Sequence, residues 1–241
     1  MSEPGAAAPL FRWFSRADPL DESTSASTVA RFSTAERGRL ESLTHDRAHR
    51  FVRGRAALFD AVAQWEKGPW EKGQWEKAPW DKAQPHSEMD AARLSIHARC
   101  AHCGGPHGAP IIHGAPLVAS LSHGHDMSVV ALADSRAVAA IGIDTEPDTE
   151  PNDAPTERRD AIVSLTGVEP AEALRHWTRI EAVLKADGRG LRVDPSAVRM
   201  SGPRHARATA SATITGSAHV YDVYDVTGPA GHVTSVAARP R

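Results

Sequence analysis

Three short stretches of this 241-residue chain carry residue types that can do chemistry. In the first, Ile141-Gly142-Ile143-Asp144-Thr145-Glu146-Pro147, an apolar strand pattern ends in two carboxylates two positions apart. On an extended chain such side chains leave the same face. Two carboxylates on one face can hold a hard cation, and magnesium commonly takes one or two of them together with substrate phosphates. Acidic residues at strand ends are also ordinary surface. In the second stretch, His176 to Leu191, Glu181 and Lys185 stand at i and i+4 on one helix face. By spacing alone they read as a solvent-exposed ion pair worth about 0.3–0.5 kcal/mol, with Trp177, Val183 and Leu184 turned to the core. The third stretch, Ser120 to Asp126, ends a strand at Ser122 and His123, whose hydroxyl and imidazole can bind a phosphate. Adjacent positions do not make a Ser-His-Asp triad, which is recognised by spatial geometry.

These residues need elements to hold them. Residues 1–33, rich in Ala, Ser, Asp and Pro, read as loops. Residues 34–63 read as helical, with Ser33 or Thr34 as cap, Glu36 in the first turn, and Phe51, Leu58, Phe59 and Val62 at helical spacing. Short β-type runs follow at 92–100, 116–123, 128–134 and 137–146, separated by Gly, Pro, Asp and His turns. Helical signals return over 156–187, with Gly188 as the stop. Strands at 219–226 and 232–240 flank a turn at 227–231. The run at 124–133, GHDMSVVALA, echoes GHVTSVAA at 231–238. Two matching halves would each place helices beside a small antiparallel sheet, an α+β arrangement.

The composition excludes some classes. It is 41% hydrophobic and 24% charged with a net charge of −2, so nothing favours non-specific binding to nucleic acid or membrane. No apolar run approaches the roughly 18 residues that span a bilayer. The first 22 residues break their apolar stretch with Arg12 and Arg16 and lack the order of a signal peptide. A cytoplasmic location is expected, where Cys100 and Cys103 stay thiols.

The loudest feature is the pentad repeat over 64–84, with Trp65, Trp70, Trp75 and Trp80 each followed by an acid and a lysine. Five residues turn a helix by about 500°, so successive rings share no face. On a strand an odd period alternates sides. Aromatic rings can stack on bases, but acids cancel lysines here and leave no field for a phosphate backbone. The repeat reads as a mobile surface insertion over about 64–86, whose deletion from 65 to 83 is expected to leave function largely intact.

Taken in order, the three stretches resemble the 4′-phosphopantetheinyl transferases, in particular the larger monomeric class that activates non-ribosomal peptide and polyketide synthases. Members carry G-[IV]-D-x-E, here Gly142 to Glu146, and then W-[ST]-x-K-E-[AS]-x-x-K, here Trp177 to Lys185. Gly188-Arg189-Gly190-Leu191 looks like the continuation of the second motif. Ser120 to His123 matches a strand that ends in Ser-His, and residues 107–110 sit where many members read G-[KR]-P. CAHCGGPHG, residues 100–108, resembles a cysteine-bearing variant of that approach. The similarity runs from about residue 34 to the C-terminus and omits the repeat.

The resemblance implies a pseudo-dimer of two α+β halves, residues 1–137 and 138–241, with the site between them. It implies transfer of the phosphopantetheine arm of coenzyme A to a serine of an acyl or peptidyl carrier protein, releasing 3′,5′-ADP. Asp144, Glu146 and Glu181 would ligate Mg²⁺. Lys185 would face the phosphates, and Glu181 would be the base for the carrier serine. Ser122 and His123 would contact the 3′-phosphate, with Arg55 near the nucleotide end. A carrier would dock along 147–176, where Arg158, Arg159 and Arg175 can meet an acidic helix. Two halves in one chain imply a monomer. The sequence departs from the family at Ile180, where a lysine is usual, at Ala109 in place of a basic residue, and at Gly124-His125 in the turn.

Two other classes remain open. Ile180 and Ala109 motivate a non-catalytic relative that binds carriers or coenzyme A. His97, Cys100, His102, Cys103, His107 and His113 crowd together and motivate a zinc-binding interaction module, although no second C-x-x-C is present.

Overall fold

The structure, a computed structural model, describes residues 11–17, 19–65, 94–100, 102–124, 126–148 and 155–241, with the backbone alone for 155–158. In chain order the elements are β1 (Arg12–Ala17), α1 (Glu22–Ala30), α2 (Thr34–Glu41), α3 (His45–Trp65), β2 (Ser95–Ala98), β3 (Pro110–His113), β4 (Leu117–His123), β5 (Met127–Asp134), β6 (Val138–Pro147), α4 (Pro155–Thr166), α5 (Ala173–Asp187), β7 (Val198–Ser201), β8 (Ala210–Ile214), β9 (Val220–Val226) and β10 (His232–Pro240).

The fold is α+β, with two antiparallel five-stranded sheets. Their orders are β1-β5-β4-β3-β2 and β6-β10-β9-β8-β7. Each sheet sets its first strand at an edge beside its last, and its helices fall between its first and second strands in the chain. The echoing runs lie on β5 and β10, which hold the same place in the two orders.

Alternation explains the layers. In β5, Val130 and Leu132 face α3 and pack with Leu58, Ala61 and Val62. The opposite face, Met127, Val129, Ala131 and Ala133, meets Ile141 and Ile143 of β6 and Val236 and Ala238 of β10. β5 is therefore buried on both faces, as a strand between two layers must be. On the far side, Ala182, Val183 and Leu184 of α5 pack on Ala212, Val223 and Ala237. α5 lies so close to β6 that a Cβ on Gly142 would stand 1.9 Å from the Ala182 carbonyl oxygen and 2.6 Å from the Ala186 nitrogen. No larger residue fits there without moving backbone.

Residues 1–33 were expected to be loops, but their described part holds a strand and a helix. β1 pairs with β5, Phe14 opposite Val130, and α1 is capped by Asp21, whose side chain accepts from the Thr24 amide. The sequence hides β1 because its alternation includes Arg12, which is buried. Its guanidinium sits 4.2 Å above the Trp65 ring and donates to the Trp65 carbonyl. β3, β7 and β8 were also not anticipated; β3 and β7 span only four residues each, too few to show a period.

Trp65 ends α3 and packs against the first core, so it belongs to the fold and not to the insertion. The other pentad tryptophans, and the expectation that they form a mobile insertion, lie outside the described residues. No helix among the described residues is long and apolar enough to cross a membrane.

Candidate functional site

β4 carries two functions on its two faces. Leu117, Ala119 and Leu121 pack toward α3, while Ser120 and Ser122 turn to β6. β6 is an edge strand, and its outward groups need partners. The Ile143 amide donates to Ser120 Oγ at 3.1 Å, and Ser122 Oγ donates to Asp144 Oδ1 at 2.8 Å. Asp144 is opposite Ser235 of β10 and shares the α5-facing side with Gly142 and Glu146.

Lys185 completes the junction from α5. Its ammonium donates to Asp144 Oδ1 at 2.7 Å, to Ser122 Oγ at 2.8 Å and to the Ile143 carbonyl at 3.1 Å. Ser122 accepts from Lys185 and donates to Asp144, so the three groups form one network from three elements. Asp144 is only 4% exposed, and its Oδ2 is buried with no hydrogen-bond partner. Glu146, two positions along β6, and Glu181, one turn before Lys185, are both half-buried.

His123 faces the other way, toward α3. A Cβ on Gly54 would come 2.5 Å from its Cε1, so only glycine leaves the ring its place. His123 Nδ1 is 2.8 Å from Ser128 Oγ, and Ser128 Oγ accepts from Arg53 Nε at 3.1 Å. Arg53 is fully buried and also donates to the Met127 and Gly124 carbonyls. Burial first, then the charges of Arg53, Lys185, Arg50 and Arg55, push the His123 imidazole down to about 3. The residue as a whole is exposed, so solvent screens part of that effect, and the direction is what matters. A neutral imidazole ringed by cations marks a region of positive potential, which suits an anion.

Other expected residues lie elsewhere. Arg55 is 3% exposed, and its Nε donates to Glu36 Oε1 at 2.8 Å, clamping α3 to α2. Glu36 also closes a capping box with Ser33 at the start of α2. It lines a groove of about 740 Å³ between α2 and the β2–β3 connection, which Arg31, Arg39, His97 and Arg99 also line. Arg55 is thus committed to Glu36 at that groove, and its charge also acts on His123. Ile180 is buried in the core beneath α5, so its position does not face the junction. Arg179 is held by Asp225, with Nε at 3.0 Å, and does not turn back to replace a lysine at 180. Arg175 joins the same carboxylate at 3.7 Å. Residues 149–154, the Arg158 side chain and His125 lie outside the described residues.

The three proposed magnesium carboxylates do not gather tightly. Among the described residues, the one group of His, Cys, Asp or Glu whose ligand atoms all lie within 4.8 Å of each other is Cys100, Cys103 and His107. The unpartnered Oδ2 of Asp144, with Glu146 and Glu181 on flanking positions, still suits a hard cation, which takes oxygen ligands. At the other group, the backbone amides of Cys103 and His102 donate to Cys100 Sγ and pull that thiol down to about 7.

Sequence reasoning missed Arg53, Gly54, Ser120 and Ser128. The signal for Arg53 was its place on the stripe with Ala57 and Ala61, where a charge must find buried partners. In sequence comparison no protein-family model matches the chain, and no curated protein matches it.

Proposed function

We propose that this chain transfers the 4′-phosphopantetheine arm of coenzyme A to a serine of an acyl or peptidyl carrier protein. The observation that carries this reading is the Ser122–Asp144–Lys185 network, in which three separate motifs meet at one junction. The identical strand orders of the two sheets support the accompanying reading of a pseudo-dimer with its site between halves.

The chemistry demanded is phosphoryl transfer. The carrier serine oxygen bonds to the β-phosphorus of coenzyme A, the P–O bond to 3′,5′-ADP breaks, and the serine proton must leave. Glu181, directly or through water, takes that proton. Lys185 stabilises charge on the departing phosphate. To do so it gives up part of its hold on Asp144, Ser122 and the Ile143 carbonyl, which lie within one hydrogen-bond length of the same nitrogen. Asp144, Glu146 and Glu181 would hold Mg²⁺, which supplies charge neutralisation on the pyrophosphate. The positive region around His123 receives the 3′-phosphate, while Ser122, on the opposite face of β4, holds Asp144 and Lys185 instead of contacting that phosphate. Arg55 holds Glu36 at the groove and adds its charge to the positive region around His123.

The test is transfer onto a panel of apo carrier proteins with coenzyme A and Mg²⁺, read by mass. A gain of about 340 Da is expected, the mass of the transferred group. No gain on any carrier would refute the proposal.

A further inference from the structure

The cysteine-histidine group lies outside the Asp144 junction, and none of its residues is used there. Cys100 follows β2, His107 precedes β3, and the connection between them is tightly folded. The Cys100 amide donates to the Gly105 carbonyl at 2.9 Å, and the Gly104 amide returns to the Cys100 carbonyl at 2.9 Å. Gly104 takes a positive φ of 70°, which lets the chain reverse directly after Cys103.

The ligand atoms converge. Both sulfurs and one His107 nitrogen lie within 4.8 Å of each other, with Cys103 Sγ 3.0 Å from His107 Nε2. In a tetrahedral zinc site, with Zn–S about 2.3 Å and Zn–N about 2.0 Å, ligand atoms stand roughly 3.5–3.8 Å apart. Small side-chain shifts bring the three to that spacing. Both cysteines are free thiols, so no disulfide competes. We propose that Cys100, Cys103 and His107 bind one zinc ion in an S₂N site whose fourth position is open to water. Cys103 and His107 are exposed, which leaves that position accessible.

Binding exchanges two thiol protons for the metal, and the protons go to solvent. The ion clasps the β2–β3 connection, whose Arg99, Gly104 and Pro106 line the groove opposite α2. Arg39 of α2 donates to the Pro106 carbonyl, so the clasp also fixes how α2 meets that wall. This role is independent of the transfer reaction, and neither proposal stands or falls with the other.

The test uses full-length protein, reduced with a phosphine and stripped by chelator, then titrated with Co²⁺. One equivalent should give intense thiolate-to-cobalt charge-transfer absorption and the visible bands of a tetrahedral ion, both bleached by Zn²⁺. Cys103→Ser and His107→Ala should each weaken binding by at least about tenfold. His102→Ala should bind as the wild type does, because the His102 ring is not in the converging group. Absence of charge-transfer bands in the wild-type protein would overturn the proposal. So would Cys103→Ser binding cobalt like the wild type, or His102→Ala losing as much as His107→Ala.

Discussion

The Lys185 ammonium stands 2.7 Å from Asp144 Oδ1 across 41 positions of sequence, and the same nitrogen is 2.8 Å from Ser122 Oγ. The lysine side chain is 28% exposed and the aspartate side chain 6%. Removing the cation leaves a nearly buried carboxylate without its charge partner. Lys185→Met is expected to cost about 1–3 kcal/mol in urea unfolding. Asp144→Asn in the same chain should recover part of it, with a coupling of about 0.5–3 kcal/mol. Strict additivity would show that the contact contributes nothing.

Gly142→Ala tests the close approach of β6 and α5. The new methyl would meet backbone atoms at 1.9 Å and 2.6 Å, and backbone cannot rotate away as a side chain can. Destabilisation of about 1–3 kcal/mol or more is expected, in the range of core overpacking. A loss under about 0.5 kcal/mol would mean the helix sits farther from the strand. That outcome would also loosen the placement of Lys185, which the same helix carries.

His123 predicts a pH dependence of stability. The folded imidazole is pushed down to about 3, while an unfolded histidine titrates near 6.5. Between those values the unfolded chain binds a proton that the folded chain refuses, so stability falls as pH drops from about 6.5 toward 3. Because the residue as a whole is exposed, solvent makes the fall shallower than a fully buried imidazole would give. His123→Asn should flatten the stability profile below pH 6.5. An unchanged profile would remove His123 as its cause.

Removal of the pentad repeat should begin at Glu66. Trp65 lies under the Arg12 guanidinium at 4.2 Å and joins β1 to α3. Deleting 66–83 is expected to keep both stability and turnover, whereas a deletion that includes Trp65 should lower the melting temperature. Loss of turnover with melting preserved in the 66–83 deletion would give the repeat a part in docking the carrier.

Much of the junction was legible. Asp144 and Glu146 ended a recognisable strand pattern, Lys185 lay on an amphipathic helix that stops at Gly188, and Ser122 closed another strand. What joins them was not legible, because hydrogen bonds between residues 22 to 63 apart leave no local period. Arg55 shows the opposite error. Its motif was visible, but its charge is spent on Glu36, a buried pairing that helix spacing does not predict. Ile180 looked like a missing cation until the helix placed it in the core. β1 was hidden because Arg12 is buried by stacking on Trp65, a partner 53 residues away.

The central claim is tested most directly by mass spectrometry of an apo carrier protein incubated with coenzyme A, Mg²⁺ and either wild-type chain or Glu181→Ala. Wild type should add about 340 Da to the carrier, and Glu181→Ala, folded by the same unfolding criteria, should add it at least about 100-fold more slowly. Equal rates in the two proteins, or no addition by wild type on any carrier tried, would contradict the account.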